Sequence, residues 1–199
     1  MKILIIGGYG TIGNKVVTYF SKKNETIIAG RSKGDIKVDI ADETSIKQMF
    51  EETGKVDAII NIAGQVKWAP FNEMSNQDFN IGIKNKMMGQ VNLVRIGKDY
   101  LNQGGSITLT TGILADDPVF GTTGAALVNS GIHGFVNAVK DELENGIRIN
   151  VVSPGLVEDS AEKIGHLFPG RKVIPMDQVV NGYIRSVEDN KTSEVIRIY

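Results

Sequence analysis

The stretch that most constrains the fold is Gly7-Gly8-Tyr9-Gly10-Thr11-Ile12-Gly13, which follows the apolar run Lys2–Ile6 without a break. Gly8, Gly10 and Gly13 fit G-x-G-x-x-G, and Gly7, Gly10 and Gly13 fit G-x-x-G-x-x-G. An apolar strand that turns through such a loop into a helix aims free backbone N–H groups and the positive helix end at an anion. The missing side chains let a pyrophosphate approach and let the helix pack tightly on the strand. Gly7, Gly10, Thr11, Ile12 and Gly13 are therefore the expected dinucleotide contacts. A P-loop is excluded, because Asn14 stands where that motif requires lysine and Lys15 is followed by Val16 rather than Ser or Thr.

The rest of the chain repeats the strand-then-helix pattern. Strands are expected at 2–6, 25–30, 36–40, 55–64, 104–112, 147–155 and in the final SEVIRIY. Helices are expected from Ile12 to Lys22, over 42–53, from Ser75 to about Leu101 with a break near Gly82, over 122–144 and over about 176–188. Near-continuous apolar strands alternating with amphipathic helices predict an α/β fold: a Rossmann-like, doubly wound sheet of about seven mostly parallel strands covered by helices on both faces. With 199 residues, 41% of them hydrophobic, and no linker or repeat, residues 1–199 read as a single domain.

About twenty residues beyond the glycine loop, an NAD site would place an acidic residue on the ribose 2′-hydroxyl. Here the second strand runs into Arg31 and Ser32. A guanidinium matches a 2′-phosphate, so the expectation is NADP(H) ahead of NAD(H).

Composition narrows the partners. The net charge is −1 with charges scattered along the chain, which gives no basic field for nucleic acid. The chain has no cysteine, so disulfides and thiolate chemistry are excluded. No apolar run approaches the roughly 20 residues of a membrane helix. The opening reads as a strand rather than a secretory leader, and the expected location is cytoplasmic. Its two histidines lie 33 residues apart without a carboxylate motif, so no metal site is expected. The expected partner is a small-molecule substrate or effector.

Taken together, GGYGTIG, the VDI at 38–40, the NIAG at 61–64, GFVNAVKDEL, GIRINVVSPG at 146–155 and the terminal helix and strand resemble the short-chain dehydrogenase/reductase family. The resemblance implies that Asp39 and Ile40 lie against the adenine and that Asn61, Ala63 and Gly64 flank the cofactor. It also implies that Pro154 and Gly155 approach the nicotinamide, and that helices near 85–101 and 122–144 pair into a homodimer or homotetramer. The activity implied is oxidoreduction of a small carbonyl or hydroxyl substrate.

The family's catalytic positions depart from its pattern. Aligned on GFVNAV, the tyrosine position holds Ala125, the lysine position Asn129, the serine position Gly112 and the asparagine position Lys86. A phenol titrating near 10 needs a nearby cation to exchange protons at neutral pH, and neither member of that pair is present. Tyr19 and Lys23 have the right spacing but lie on the first helix, away from the expected nicotinamide. The candidates for replacement chemistry are Lys86, Thr111 and Asn129. His166 in the loop after Gly155, beside Glu158, Asp159 and Phe168, ranks ahead of His133 on the long helix. Trp68 and Phe71 are expected to overhang the site, and Asp116-Asp117-Pro118 reads as a turn. The alternative to turnover is a non-catalytic NADP(H) sensor.

Overall fold

A computed structural model describes residues 1–199. The strands are β1 (Lys2–Ile6), β2 (Glu25–Gly30), β3 (Ile36–Lys37), β4 (Val56–Asn61), β5 (Leu101–Thr110), β6 (Arg148–Pro154), β7 (Leu156–Val157), β8 (Val173–Ile174) and β9 (Val195–Ile198). The helices are α1 (Thr11–Phe20), α2 (Glu43–Thr53), α3 (Asn76–Gly82), α4 (Met88–Gly97), α5 (Thr123–Val139), α6 (Glu158–Ile164) and α7 (Met176–Glu188). Seven strands form one wholly parallel sheet in the order β3-β2-β1-β4-β5-β6-β9.

Alternation along β1 shows why both faces must be covered. Leu4 and Ile6 enter a core with Ile46, Phe50, Leu93 and Ile132 of α2, α4 and α5. Ile3 and Ile5 enter a second core with Val16, Phe20, Val179 and Tyr183 of α1 and α7. All four β1 side chains are fully buried, as a parallel sheet between two helix layers requires. The chain reverses direction across the sheet between β1 and β4, and the crevice at that switch point opens beside the glycine loop.

Several boundaries move. The strand expected over 36–40 stops at Lys37, because the Asp39 carboxylate accepts from the Ala41 N–H and its carbonyl from the Asp42 N–H, closing a turn. Asp42 then caps α2 through the Thr44 N–H. The 75–101 stretch divides into α3, a π turn over Ile83–Met87, α4 and a final 3-10 turn. Gly82 sits at the break, where a Cβ would meet Val128 Cγ2 at 3.0 Å and Val66 Cγ1 at 3.1 Å. Strand β5 spans 101–110 rather than 104–112, and α5 ends at Val139, with a 3-10 turn to Glu142 before Asn145 and Gly146 turn with positive φ. Residues 156–175 form α6 and a small parallel ladder of β7 with β8.

Helix α7 is fastened to β5 by hydroxyls within an apolar interface. Thr110 Oγ1 donates to the Asn61 carbonyl at 2.6 Å, which makes the fully buried Tyr183 hydroxyl the donor in their 2.8 Å contact. Tyr183→Phe is expected to cost about 1 kcal/mol, since Thr110 keeps its other bond. Thr110→Val leaves the Tyr183 hydroxyl without an acceptor and is expected to cost more. Urea unfolding of both variants checks the order, and an equal or reversed ranking would contradict this hydrogen-bond assignment.

Candidate functional site

The cradle is assembled by backbone approach. Gly7 adopts φ +85°, and a Cβ there would lie 2.8 Å from the Ala63 backbone nitrogen, so the loops after β1 and β4 meet with no space for a side chain. A Cβ on Gly13 would overlap the Gly7 carbonyl oxygen, and one on Gly8 would sit 2.7 Å from Ile28 Cγ2. These contacts draw the start of α1 against β1 and β2. Gly10 caps the helix with no side-chain hydrogen bond, and the first turn holds no acidic residue. Its free N–H groups and positive end are thereby left for an external anion.

Beside this helix end is a cleft of about 240 Å³ walled by Gly7, Arg31, Asp39, Ile40, Ala63 and Gly64, among others. A second hollow runs along Gly7–Gly10 to Arg31, Ser32 and Lys33. Arg31 is exposed and makes no ion pair within 4.0 Å. The nearby carboxylates are engaged elsewhere: Asp35 accepts from the Ile28 N–H at 2.9 Å, and Asp39 from Ala41. A cradle that a Cβ would fill, an uncapped helix end and an unpaired guanidinium on one crevice fit the pyrophosphate and 2′-phosphate of NADP(H).

Not every expected contact is on the cleft wall. Thr11 is exposed, Ile12 packs partly into the second core, and Gly13 serves close packing. Asn61 is fully buried, and its Nδ2 holds the Ala63 carbonyl at 2.9 Å. Pro154 is buried at the end of β6, and a Cβ on Gly155 would fall 2.9 Å from Tyr199 Cβ, so that glycine admits the C-terminal residue.

On α5, Ala125 and Asn129 are both buried, Ala125 packing with Ile113, Leu114, Leu156 and Phe168. Asn129 Oδ1 has no hydrogen-bond partner. The π turn directs Lys86 across Gly64, where a Cβ would lie 2.6 Å from Lys86 Cγ, and Nζ reaches only the Thr111 carbonyl, at 3.5 Å. Burial without a carboxylate partner lowers the Lys86 pKa from 10.5 to about 8. Neighbouring Asn85 is occupied by the Gln65 N–H at 2.8 Å.

The two histidines lie in different surroundings. His133 is half-buried and its Nε2 lies 2.8 Å from Thr111 Oγ1, whereas His166 is exposed on a 3-10 turn. Burial lowers the His133 pKa, opposed by the Asp116 charge and assisted by Arg197 and Lys86. The Thr111 hydroxyl is thus committed to His133. Asp116 is more than a turn residue: Arg197 grips its carboxylate at 2.9 and 3.2 Å, and the Tyr199 hydroxyl binds it too. Arg197 first, then Tyr199, holds the Asp116 carboxyl below its usual range. Asp117 pairs with Arg171.

The remaining candidates have structural partners. Glu158 accepts from the Met176 N–H at 2.7 Å, Asp159 meets Lys15 at 3.4 Å, and Phe168 is buried edge-on to Trp68. Phe71 is 64% exposed and lies edge-on to Phe79. Tyr19 and Lys23 line a separate hollow with Met1, Asn24 and Glu188.

A wholly parallel sheet with a glycine cradle at its switch point defines the class, a dinucleotide-binding fold of the short-chain dehydrogenase/reductase kind. A family model described as enoyl-(acyl carrier protein) reductase matches residues 13–181, and the chain belongs to that family within the short-chain dehydrogenase/reductases. Among its relatives, an acetoacetyl-CoA reductase of Allochromatium vinosum is 26% identical over 182 residues, 78% of this chain and 74% of the relative. A 3-oxoacyl-[acyl-carrier-protein] reductase of Thermotoga maritima is 27% identical over 180 residues, covering 78% and 73%. Among solved structures, the protein lin1944 from Listeria innocua superposes with TM-score 0.98 at 41% identity over the full length of both chains. A small-chain dehydrogenase in complex with NADPH gives TM-score 0.88 at 27% identity, covering 100% of this chain and 96% of the other.

A desolvated lysine without a partner destabilises the chain wherever the unfolded state binds the proton more tightly. With the folded pKa near 8 against 10.5 unfolded, stability from this group rises as pH climbs from about 8 to 10.5. Lys86→Met is expected to raise stability at pH 7 by about 1–3 kcal/mol and to flatten that alkaline rise. Thermal unfolding at pH 7 and pH 9.5 checks this, and a lowered Tm at pH 7 would contradict it.

Proposed function

We propose that this protein is an NADP(H)-dependent oxidoreductase acting on a small carbonyl or hydroxyl substrate, with the family's tyrosine-lysine pair replaced. The observation that carries the reading is the uncapped start of α1 sharing one crevice with the unpaired Arg31. The names of the reductase relatives and the NADPH complex of a structural neighbour support it.

Gly7, Gly10 and the N–H groups of Thr11, Ile12 and Gly13 would hold the pyrophosphate, with Arg31 and Ser32 on the 2′-phosphate. Ile40 and Asp39 would bound the adenine. Ala63 and Gly64 would face the nicotinamide ribose, backed by Asn61, with Pro154 and Gly155 behind the ring. Bound NADPH would supply the hydride. Asn129, with its unpartnered Oδ1, would accept from a ribose hydroxyl. Turnover is favoured over sensing because the unpaired Lys86 ammonium leaves a proton-bearing group at the inner end of the crevice. In this reading the protein is cytoplasmic and forms a homodimer or homotetramer, the exposed Ile81, Met88 and Leu127 of α3, α4 and α5 lying at the contact.

NADPH is expected to bind more tightly than NADH, and Arg31→Ala to weaken NADPH alone by about 10- to 100-fold, the loss of one charge-assisted contact. Gly10→Asp sets a carboxylate at the positive end of α1, where a Cβ has no neighbour closer than the Gly7 carbonyl at 3.4 Å. It is expected to fold and to bind neither nucleotide. Isothermal titration measures all of these. Equal affinities for NADPH and NADH that Arg31→Ala leaves unchanged would overturn the cofactor preference, and tight binding by Gly10→Asp would overturn the placement.

A further inference from the structure

Past Gly64, a wall residue of the cleft, the folded chain leaves the Lys86 ammonium incompletely bonded, and Asn61 Oδ1, Asn129 Oδ1, Ser153 Oγ and Ser193 Oγ are buried without a partner. The Lys86 ammonium has three donors and one long bond, to the Thr111 carbonyl at 3.5 Å, with no carboxylate within 4.0 Å. On α5, which packs against the π turn, the buried Asn129 carries an acceptor with no donor. A partly buried cation whose counter-charge the chain does not supply is costly, and such groups persist where a ligand provides the charge.

Geometry fixes where that charge must appear. Lys86 stands on the π turn, whose extra residue per turn redirects its side chain. The stem is laid on Gly64, a wall residue of the cleft, and only a glycine leaves room for it. Other polar side chains nearby are occupied: Thr111 Oγ1 by His133, Asn85 by the Gln65 backbone, and Asp116 by Arg197 and Tyr199.

We propose that Lys86 is the catalytic acid of carbonyl reduction here, its ammonium delivering a proton to the substrate oxygen and, in the reverse direction, its neutral amine removing one from the alcohol. This rests on the oxidoreductase reading above. When the carbonyl carbon gains a C–H bond from the hydride of NADPH, the π pair moves onto oxygen as an alkoxide lone pair. Lys86 Nζ–H breaks, O–H forms, and the neutral amine recovers its proton from water. The ammonium also stabilises the developing alkoxide by charge.

The substrate class follows from the same environment. The ammonium seeks an oxygen that becomes anionic, so a ketone or a 3-oxo thioester fits, whereas reduction of an isolated carbon–carbon bond places no alkoxide there. The titratable group facing Lys86 from α5 is His133, with Asp116 and Arg197 behind it on the loop after β5 and on β9. Burial brings the ammonium to about 8, so it is mostly protonated at neutral pH yet exchanges readily.

The test uses the full chain with NADPH and two probes, acetoacetyl-CoA and ethyl benzoylformate. The Lys86 Cε resonance, assigned by its loss in Lys86→Arg, is expected to titrate near pH 8 rather than 10.5. Reductive turnover is expected to fall as pH rises through the same value. Lys86→Arg keeps the positive charge but cannot give up a proton near neutrality; it and Lys86→Met are expected to bind NADPH within about tenfold of wild type and to lose kcat by about 10²-fold or more. Ordinary lysine titration, or Lys86→Arg turning over with an unaltered pH limb, would overturn the proposal. So would a raised KM with kcat intact, which marks a binding role. A wild type that binds NADPH but reduces neither probe at any pH overturns the Lys86 assignment and leaves the cofactor reading standing. Failure to bind NADPH overturns both.

Discussion

The rest of the structure depends on the approach of the loops after β1 and β4, which carry almost no side chains where they meet each other and the start of α1. Gly7, in a positive-φ conformation, touches the backbone of Ala63, and Gly13 abuts the Gly7 carbonyl. These contacts bring the start of α1, the ends of β1 and β4 and the entrance to the cleft within reach of one ligand. Every added Cβ would push these elements apart, so the shape of the crevice is set by absence of volume rather than by attraction. The two cores on either face of the sheet then hold the arrangement fixed.

Farther along the crevice the design changes from backbone to side chain. The π turn between α3 and α4 brings Lys86 over Gly64, and α5, packed on that turn, carries the buried Ala125 and Asn129. Asp116, Arg197 and Tyr199 tie the loop after β5 to the last strand, and His133 lies between that network and Thr111. The polar end of the sheet is therefore a connected set of charges in which one ammonium is left without a counter-charge. Desolvation destabilises that ammonium in the folded state, and the same desolvation places its pKa where it can exchange protons.

The cradle was legible in the sequence because its determinants are local: glycines at fixed offsets after an apolar strand, then a helix. The alternation of strands and helices was legible for the same reason, since α7 coincides with the amphipathic stretch at 176–188. What was hidden depends on distant partners. His133 reaches Thr111 across 22 residues, and Asp116 meets Arg197 across 81, with no local pattern announcing either. Nor does the local sequence show that Gly155 packs against Tyr199, or that His133 rather than His166 lies half-buried beside Thr111. The glycines of α5 divide as well: Gly131 admits Met87 within the chain, while Gly134 has open space beside it.

In the proposed function one dinucleotide runs from the glycine loop past Gly64 toward Lys86. Backbone amide shifts on addition of NADPH, recorded on 15N-labelled protein, test it most directly. Saturable perturbations are expected, concentrated at Gly8, Gly10, Gly13 and Arg31 and continuing through Ala63 and Gly64 to Lys86 and Asn129. Perturbations confined to the hollow around Tyr19 and Lys23, or none at saturating NADPH, would contradict it.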